Sequence, residues 1–292
     1  MFSKYKIREI PKSSADYPKE WRALSDAPET AYAVGDLSLL RQTKLVVVGS
    51  RRTPAPALKL GQTIAKDLSY SLVVTTGTAD GGDSAAIDGA LSGSGKVICV
   101  LAGGFSSVSQ ALQPLLEKVS EKGLILSPYP YETPVRNFSY EYRNKLLAAL
   151  GVGTLVLGAA EKSGALITAR YAWGQKKPVF ALPYFPGSAA GEGCNAIIKA
   201  GGVLTETAFD IANKLGITLE EEKIAPVSLT TDELKVMTAL RNLSEGHIMD
   251  IAAVSGLPTF KAKSVLSALE VKGVVVALGG NRYKPIKEGG KL

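Results

Sequence analysis

Short hydrophobic runs alternate with segments of helical periodicity through most of the chain. The first strong run, Lys-Leu-Val-Val-Val-Gly-Ser-Arg at residues 44–51, predicts a strand that is buried on both faces and ends in a glycine turn. Apolar residues at helical intervals over residues 57–68 predict the helix that follows. The cycle then repeats, with further strands predicted at residues 71–75, 96–101, 123–127, 154–157 and 178–182.

This alternation predicts the fold class. Strands that alternate with helices need crossover connections, which favour a mostly parallel sheet covered by helices on both sides. We therefore predict an α/β fold, a doubly wound Rossmann-like sheet. Ligands of such sheets bind beyond the carboxyl ends of the strands. At those positions this chain carries residues 49–51, the glycine-rich stretch 76–83, and Gly103 with Gly104.

The pattern changes near residue 219. A charged run at residues 220–223 and Ala-Pro-Val-Ser at residues 225–228 indicate a linker. Three helical segments and a β-hairpin follow, as in a small winged helix-turn-helix domain, and Thr231 is a candidate cap for the first helix. The predicted division is a Rossmann-like domain at residues 1–218 with an N-terminal extension over 1–40, a linker at 219–229, a winged helix at 230–286 and a tail at 287–292.

Composition favours one class of partner and argues against membrane contact and metal binding. The formal net charge of +7 and the pI near 9.2 favour a polyanionic partner. The amino-terminal residues lack an apolar signal region and no run of about 20 apolar residues occurs, so we expect a cytoplasmic protein that does not contact a membrane. Two cysteines outside any Cys-x-x-Cys pair and a single histidine predict neither a metal site nor a cofactor.

Two segments have the composition of anion-binding turns. The turn at Ser50 and Arg51 offers backbone amides, a helix start and a guanidinium group to a phosphate. Lys162, with the amides of Ser163 and Gly164 at a helix start, forms a second such turn. The alternatives are a tight turn with a solvated arginine in the first case and a capped helix in the second.

The glycine-rich stretch at residues 76–83 is neither a Gly-x-Gly-x-x-Gly fingerprint nor a Walker loop. Its glycines allow the backbone to approach a ligand, and Asp83 is a candidate helix cap. The alternative is a turn that only packs against its neighbours.

Residues 136–145 interleave basic and aromatic side chains, as a single-stranded nucleic acid surface requires: cations for phosphates and planar groups for bases. In the alternative interpretation Phe138 and Tyr142 belong to the core and the arginines are solvated. Enzyme chemistry has no visible carrier: the chain has no Gly-x-Ser-x-Gly and no His-Glu-x-x-His motif, and His247 stands alone. We therefore expect a binding protein and no catalytic residue.

Taken together and in order, these motifs resemble the DNA-processing protein A family, also called Smf, over about residues 17–218. At four places the chain departs from the family pattern: Thr76 replaces serine, Ile87 replaces histidine, and Ser127-Pro128 and Gly158-Ala159 replace Ser-Glu and Glu-Ala. The resemblance rests on residues 49–51, on Thr76, Gly77, Ala79, Gly81, Asp83, Ala86, Ala90 and Leu91, on residues 143–145, and on residues 162–169, 179–183 and 191–202.

The resemblance implies a cytoplasmic protein, often a homodimer, that binds single-stranded DNA without sequence preference. It would protect the strand and help to load the recombinase RecA during natural transformation. The DNA-binding residues implied are Ser50, Arg51, Phe138, Arg143, Asn144, Lys145, Lys162, Ser163, Gly164 and Thr168. Phe138 would stack on a base, and Lys261 and Lys263 of the winged helix are candidate contacts to duplex DNA.

Two other functions use the same elements. A Rossmann-like protein of this size could bind or hydrolyse a nucleotide-derived small molecule, as phosphoribohydrolases of related fold do, although the chain lacks their Pro-Gly-Gly-x-Gly-Thr motif. Alternatively, the winged helix reads duplex DNA for a transcriptional regulator and the large domain senses a ligand. Residues 232–292 hold nine basic and six acidic residues, a net charge of only about +3, which is weak for a domain that reads duplex DNA. Domain docking or partner binding is therefore an equal alternative to DNA contact.

Overall fold

A computed structural model describes residues 5–220 and 229–285 of the 292-residue chain. The chain divides into two units, residues 1–222 and 223–292. Most of the predicted linker at 219–229 and the whole predicted tail at 287–292 lie outside the described residues. The domain boundaries therefore stay predictions.

One sheet of nine strands organises the described part of the first unit. Its order is β1-β2-β6-β5-β4-β3-β7-β8-β9, and every pairing from β6 to β9 is parallel. The strands are β1 (Arg8–Pro11), β2 (Thr30–Gly35), β3 (Lys44–Val48), β4 (Val73–Thr76), β5 (Val97–Val100), β6 (Leu124–Ser127), β7 (Thr154–Val156), β8 (Val179–Ala181) and β9 (Val203–Leu204).

Helices cover both faces of this sheet. Along β3, Leu45 and Val47 pack into one hydrophobic core, and Val46 and Val48 pack into the other, because successive side chains of a strand point to opposite faces. This confirms the predicted doubly wound α/β class. The helices are α1 (Lys19–Arg22), α2 (Ala55–Ser69), α3 (Gly82–Ser92), α4 (Gln113–Lys122), α5 (Asn137–Leu150), α6 (Gly164–Gly174), α7 (Glu192–Lys199) and α8 (Ala208–Leu215).

The amino-terminal residues are part of the sheet and not an appendage. Strand β1 pairs antiparallel with β2, and β2 pairs antiparallel with β6, so that residues 8–35 extend the parallel sheet at one edge. Trp21 is fully buried, and its indole N–H donates to the Leu146 carbonyl oxygen at 3.0 Å. The described part of the predicted N-terminal extension, residues 5–40, thus contributes two strands and a buried tryptophan to the core. Local patterning did not reveal this, because the contacts join residues far apart in sequence.

The strand order places a switch point beside β3. From β3 the chain proceeds outward through β4 and β5 to β6, and it then returns to place β7 on the other side of β3. The carboxyl ends of β3 and β7 therefore diverge into opposite crossovers. In doubly wound sheets this divergence opens a crevice in which ligands bind.

The second unit contains three helices and a three-stranded antiparallel sheet in its described part. Thr230, not the predicted Thr231, caps the first helix: its hydroxyl accepts from the Glu233 amide, and the Glu233 carboxylate accepts from the Thr230 amide at 2.7 Å. The element order is that expected of a winged helix; assignment to that class stays a prediction. The elements are α9 (Thr231–Leu243), β10 (Gly246–His247), α10 (Ile248–Ser255), α11 (Thr259–Val271), β11 (Val275–Gly279) and β12 (Arg282–Pro285).

Within the described ranges, no helix has both the length and the apolar character that crossing a membrane would require. Cys99 and Cys194 are both buried, and burial raises the pKa of the Cys194 thiol to about 12. Cys99 packs as the small hydrophobic residue that its apolar run predicts.

The contact between β3 and α3 makes a prediction about stability. A Cβ atom at Gly49 would lie 2.8 Å from Gly82 Cα, so Gly49→Ala forces two backbone segments apart. We expect a loss of about 1–3 kcal/mol of unfolding free energy, the usual cost of overpacking. Urea denaturation followed by tryptophan fluorescence measures it, since both tryptophans, Trp21 and Trp173, belong to the first unit.

Gly174→Ala is the matched control. A Cβ atom at Gly174 would meet nothing within 4 Å, and the residue ends helix α6. Alanine there should leave stability unchanged or raise it by up to about 1 kcal/mol. Equal unfolding midpoints for the two variants would contradict the close approach of the Gly49 and Gly82 backbones.

Candidate functional site

A cleft of about 460 Å³ opens at the switch point of the sheet. Residues 48–52 at the end of β3 form one wall, and Ala160 with residues 162–165 after β7 form the opposite wall. Tyr140 and Arg143 of α5 contribute from a third side, and the turn before α3 adds Ala79 and Asp83. The predicted residues Ser50, Arg51, Arg143, Asn144, Lys162, Ser163, Gly164 and Thr168 all line this cleft.

Backbone contacts hold the turn after β3 in place. The Ser50 amide donates to the Gly158 carbonyl oxygen at 2.8 Å, and the Thr53 hydroxyl donates to the Ser50 carbonyl oxygen at 2.8 Å. The turn leaves the side chains of Arg51 and Arg52 exposed beside the cleft. Arg52 was missed in the sequence analysis, although it directly follows a predicted contact.

The glycine-rich stretch supports this turn from below. Gly81 has a φ of +83°, and a side chain on it would meet the Ser50 carbonyl oxygen at 2.6 Å. The Gly82 backbone lies directly against Gly49. These glycines therefore let two loops pack together, and from this stretch only Ala79 reaches the cleft together with Asp83. The packing interpretation of the stretch describes the structure better than close approach to a ligand.

Asp83 connects the same two loops through its side chain. One carboxylate oxygen accepts from the Ala79 amide at 3.1 Å and the other from the Gly49 amide at 3.4 Å. The residue is therefore not the predicted cap of α3, since its acceptors serve amides outside the helix. Burial raises the pKa of the Asp83 carboxyl, and the nearby Arg143 guanidinium and the two amides act in the opposite direction.

Arg143 lies at the floor of the cleft rather than on its surface. Its guanidinium donates to the Val100 carbonyl oxygen at 3.2 Å and to the Asn144 side-chain oxygen at 2.9 Å. Asn144 in turn donates to the Gly164 carbonyl oxygen at 3.2 Å. The residue is only 5% exposed, and burial lowers the pKa of its guanidinium. Arg143 and Asn144 thus link β5, α5 and α6 at the floor of the cleft, and direct contact between the Arg143 guanidinium and a phosphate stays a prediction.

The start of helix α6 forms the wall opposite Arg51. Ser163 is the helix cap, and its hydroxyl accepts from the Ala165 amide at 3.3 Å. Lys162 is exposed at the rim. Thr168 is buried, and among the described residues its hydroxyl has no hydrogen-bond partner. The Ser163 amide donates to the Ala160 carbonyl oxygen at 3.0 Å, so the start of α6 offers the cleft the positive end of the helix dipole together with a cation.

Aromatic side chains lie beside the cleft at the start of α5. Phe138 is 62% exposed, and the Arg136 guanidinium lies 6.0 Å from its ring centre. Tyr140 is 40% exposed and lines the cleft itself, a position that the sequence analysis did not single out. The interpretation that placed Phe138 in the core is therefore wrong. Tyr142 is half-buried, and its hydroxyl donates to the Asp26 carbonyl oxygen at 2.6 Å.

The structure does not bring Lys145 into the cleft. Its ammonium lies 2.7 Å from the Asp26 carboxylate, and this hydrogen bond lowers the pKa of that carboxyl. Lys145 follows Arg143 and Asn144 in sequence, but its side chain leaves α5 in another direction. The predicted phosphate contact by Lys145 is not supported by this placement.

The cleft is electropositive. In the described ranges, none of Arg51, Arg52 and Lys162 forms an ion pair. The carboxylate among the lining residues belongs to Asp83, which is buried and bonded to backbone amides. Unpaired cations and the positive end of a helix dipole at one space are suited to an anion that carries several charges.

In the second unit, both predicted DNA contacts lie on helix α11. The Lys261 ammonium is 2.6 Å from the Asp232 carboxylate, and Lys263 is exposed. Phe260, directly before Lys261, is 79% exposed. The accessible surface at the start of this helix is thus partly apolar, and one of its two cations is already paired.

The fold is of the Rossmann-like class, and its cleft at the switch point of the sheet is suited to an anionic ligand. Residues 9–216 match the model of the family described as DNA recombination-mediator protein A. The chain belongs to this family.

Known relatives are similar over most of the chain. Protein Smf of Escherichia coli is 30% identical over 282 residues, which cover 93% of this chain and 75% of that protein. The DNA processing protein DprA of Streptococcus pneumoniae is 33% identical over 197 residues, 67% of this chain and 70% of that protein.

Two solved structures share the fold. The X-ray structure of DNA processing protein A from Streptococcus pneumoniae has a TM-score of 0.68 at 29% identity, covering 75% of this chain and 76% of that one. The second structure, of DNA processing protein A from Helicobacter pylori, describes its mode of binding single-stranded DNA. It has a TM-score of 0.67 at 27% identity and covers 74% of this chain and 98% of that one.

The bonds of Asp83 make a prediction about the support of the cleft. In the Asp83→Asn variant the side-chain carbonyl oxygen can still accept from one of the two backbone amides, Gly49 or Ala79. The other amide then faces the new NH₂ group, which is a donor and cannot accept from it. We expect a loss of about 1–3 kcal/mol in unfolding free energy, the cost of an unsatisfied buried group. Chemical denaturation measures it.

Asp88→Asn is the matched control, because it makes the same change at an exposed position of the same helix. Its unfolding free energy should stay within about 0.5 kcal/mol of that of the parent protein. Equal losses of unfolding free energy in the two variants would refute the structural role of Asp83.

Proposed function

We propose that the first unit binds single-stranded DNA at the switch-point cleft, without sequence preference, and that it acts by binding rather than by catalysis. The observation that carries the proposal is the joint placement of unpaired cations, a helix start and the exposed Tyr140 ring around one cleft, with the exposed Phe138 ring two residues earlier on α5. Each of these features alone is common on protein surfaces. Their combination provides both of the contacts that an unpaired strand offers, to its phosphates and to its bases.

The phosphate contacts come from opposite walls of the cleft. Arg51 and Arg52 approach from the turn after β3, and Lys162 approaches from the residues just before α6. These groups contact the phosphates of the DNA and not the edges of its bases, so they favour no base sequence. Arg143 and Asn144 hold the walls together from beneath. Thr168 offers the cleft a hydroxyl without a partner in the described part of the chain.

The rings at the start of α5 favour a single strand over a duplex. Phe138 and Tyr140 present exposed faces beside the phosphate contacts. Bases in a duplex are already stacked on their neighbours, whereas the bases of a single strand are free to stack on protein rings. The Arg136 guanidinium beside the Phe138 ring adds a cation to the same surface.

The relatives support the biological setting. The Helicobacter pylori protein binds single-stranded DNA, and the family is one of DNA recombination mediators. We extend this to the present chain as a cytoplasmic homodimer that protects incoming strands and helps to load RecA in natural transformation. An exposed apolar surface at the β9 edge of the sheet supports self-association, because Leu204 is 46% exposed and Phe209 is 63% exposed.

A nucleotide-derived small molecule is the second candidate ligand. The cleft volume of about 460 Å³ falls within the usual range of small-molecule sites. Competition separates the two: a mononucleotide that displaces a bound oligonucleotide at equal concentration favours the small molecule. Contact of Lys261 and Lys263 with duplex DNA stays a proposal, which the Lys261–Asp232 ion pair weakens.

Arg51→Ala tests the cleft as the DNA site. We expect weaker binding of a labelled single strand, and a log–log salt slope that is reduced by about 0.7 for the lost phosphate contact. Fluorescence anisotropy at several salt concentrations measures both quantities, and a duplex of the same sequence should bind less tightly than the single strand.

Lys145→Ala is the matched control for this experiment. It removes the same charge from the same unit, but its ammonium is paired with Asp26 and does not line the cleft. Affinity and salt slope should stay near those of the parent protein. If Lys145→Ala reduces binding and Arg51→Ala does not, the strand follows a different surface.

Phe138→Ala tests base stacking. We expect a loss of about 1–3 kcal/mol in single-strand affinity, the usual contribution of one stacked base, with the salt slope unchanged because no cation is removed. Phe138→Tyr keeps the ring and should retain affinity. Equal affinities for the parent protein and the Phe138→Ala variant would exclude stacking at this position.

A further inference from the structure

A second groove adjoins the cleft on the other side of the α6 start. Its volume is about 590 Å³, and it lies between helices α6 and α7. Lys162 and Ser163 line both spaces, so the cleft and the groove share a wall. Of the residues that α7 turns toward the groove, Gly193 and Ala196 are small, and Ile197 adds an apolar side chain. The short side chains leave room for a planar group beside α6.

One face of α6 carries the chemistry of this groove. Leu166, Arg170 and Trp173 recur at helical spacing and all line it. Trp173 is 36% exposed, and Arg170 forms no ion pair in the ranges that the structure describes. Lys162 precedes α6, and Arg170 lies six residues after its first residue, Gly164, which corresponds to about 9 Å along the helix.

These features fit a nucleic acid strand better than a protein partner. Lys162 before the helix and Arg170 within it can follow a charged backbone, and the Trp173 ring, one turn beyond Arg170, offers a stacking surface. Glu161, also at the rim, is the carboxylate that lines the groove, against two cations. The groove continues directly from the proposed DNA site, because Lys162 belongs to both.

We infer that the strand bound in the cleft continues past the start of α6 into this groove, where a base stacks on Trp173 and a phosphate pairs with Arg170. The inference rests on the proposed function and extends its footprint. An oligonucleotide long enough to cross both spaces then binds more tightly than one that fills the cleft alone. Trp173 would be in contact with DNA only in the longer complex.

The tryptophan content makes this contact directly observable. The chain has two tryptophans, and Trp21 is fully buried with its indole N–H bonded to Leu146. Quenching of intrinsic fluorescence by DNA therefore reports on Trp173. The full-length protein is titrated with oligothymidylates of about 4 and about 20 nucleotides, lengths that bracket typical single-strand sites. Anisotropy of labelled DNA gives the affinity in parallel.

We expect the long oligonucleotide to quench the fluorescence and the short one to leave it nearly unchanged. Trp173→Ala and Arg170→Ala should each weaken the long complex about fivefold or more and leave the short complex unaffected. Trp173→Phe should retain affinity, since a ring remains, but abolish the quenching. Lys145→Ala is again the control for loss of one positive charge, and it should change neither signal.

The outcomes separate this inference from the proposed function. If Arg51→Ala weakens both complexes while Trp173→Ala and Arg170→Ala weaken neither, and the fluorescence does not change, the groove is not part of the path and the cleft assignment stands. If Arg51→Ala is without effect at either length, the proposed function itself fails. Quenching that depends on protein concentration in the absence of DNA would assign Trp173 to a contact between copies and overturn the inference.

Discussion

The contact between the backbones of Gly49 and Gly82 is the constraint on which the cleft depends. It lets the turn after β3 lie directly on the start of α3, and Asp83 then bonds to the Gly49 and Ala79 amides. With the turn fixed in this way, Arg51 faces the start of α6 across the switch point. A side chain at either glycine would separate the two loops and widen the site.

The buried polar groups beneath the cleft hold its walls in place. Arg143 connects the Val100 carbonyl group to Asn144, and Asn144 connects to α6. Burying a guanidinium is costly unless its donors are satisfied, and here backbone and side-chain oxygens accept from it. The cations that remain exposed, Arg51 and Lys162, are therefore held on rigid walls. A preorganised site of this kind loses less entropy when a flexible strand binds.

Much of the fold could be predicted from the sequence, because continuous apolar runs such as residues 44–48 identify buried strands without knowledge of their partners. The two turns that form opposite walls of the cleft were also recognisable, since glycine, cation and helix start adjoin in the chain. What could not be predicted depends on distant residues. Lys145 and Asp26 are 119 positions apart, and no local pattern shows that they pair. The burial of Arg143 and the inclusion of β1 and β2 in the sheet likewise follow from tertiary packing.

Hydrogen–deuterium exchange with and without a single-stranded oligonucleotide directly tests whether the strand binds in the switch-point cleft. Amide exchange slows where a ligand covers or orders the backbone. If DNA binds in the cleft, exchange slows in its presence at the turn of residues 49–52 and at the α6 start of residues 162–168, the two walls of the cleft. Protection confined to residues 229–285 of the second unit, with none at these walls, would contradict it.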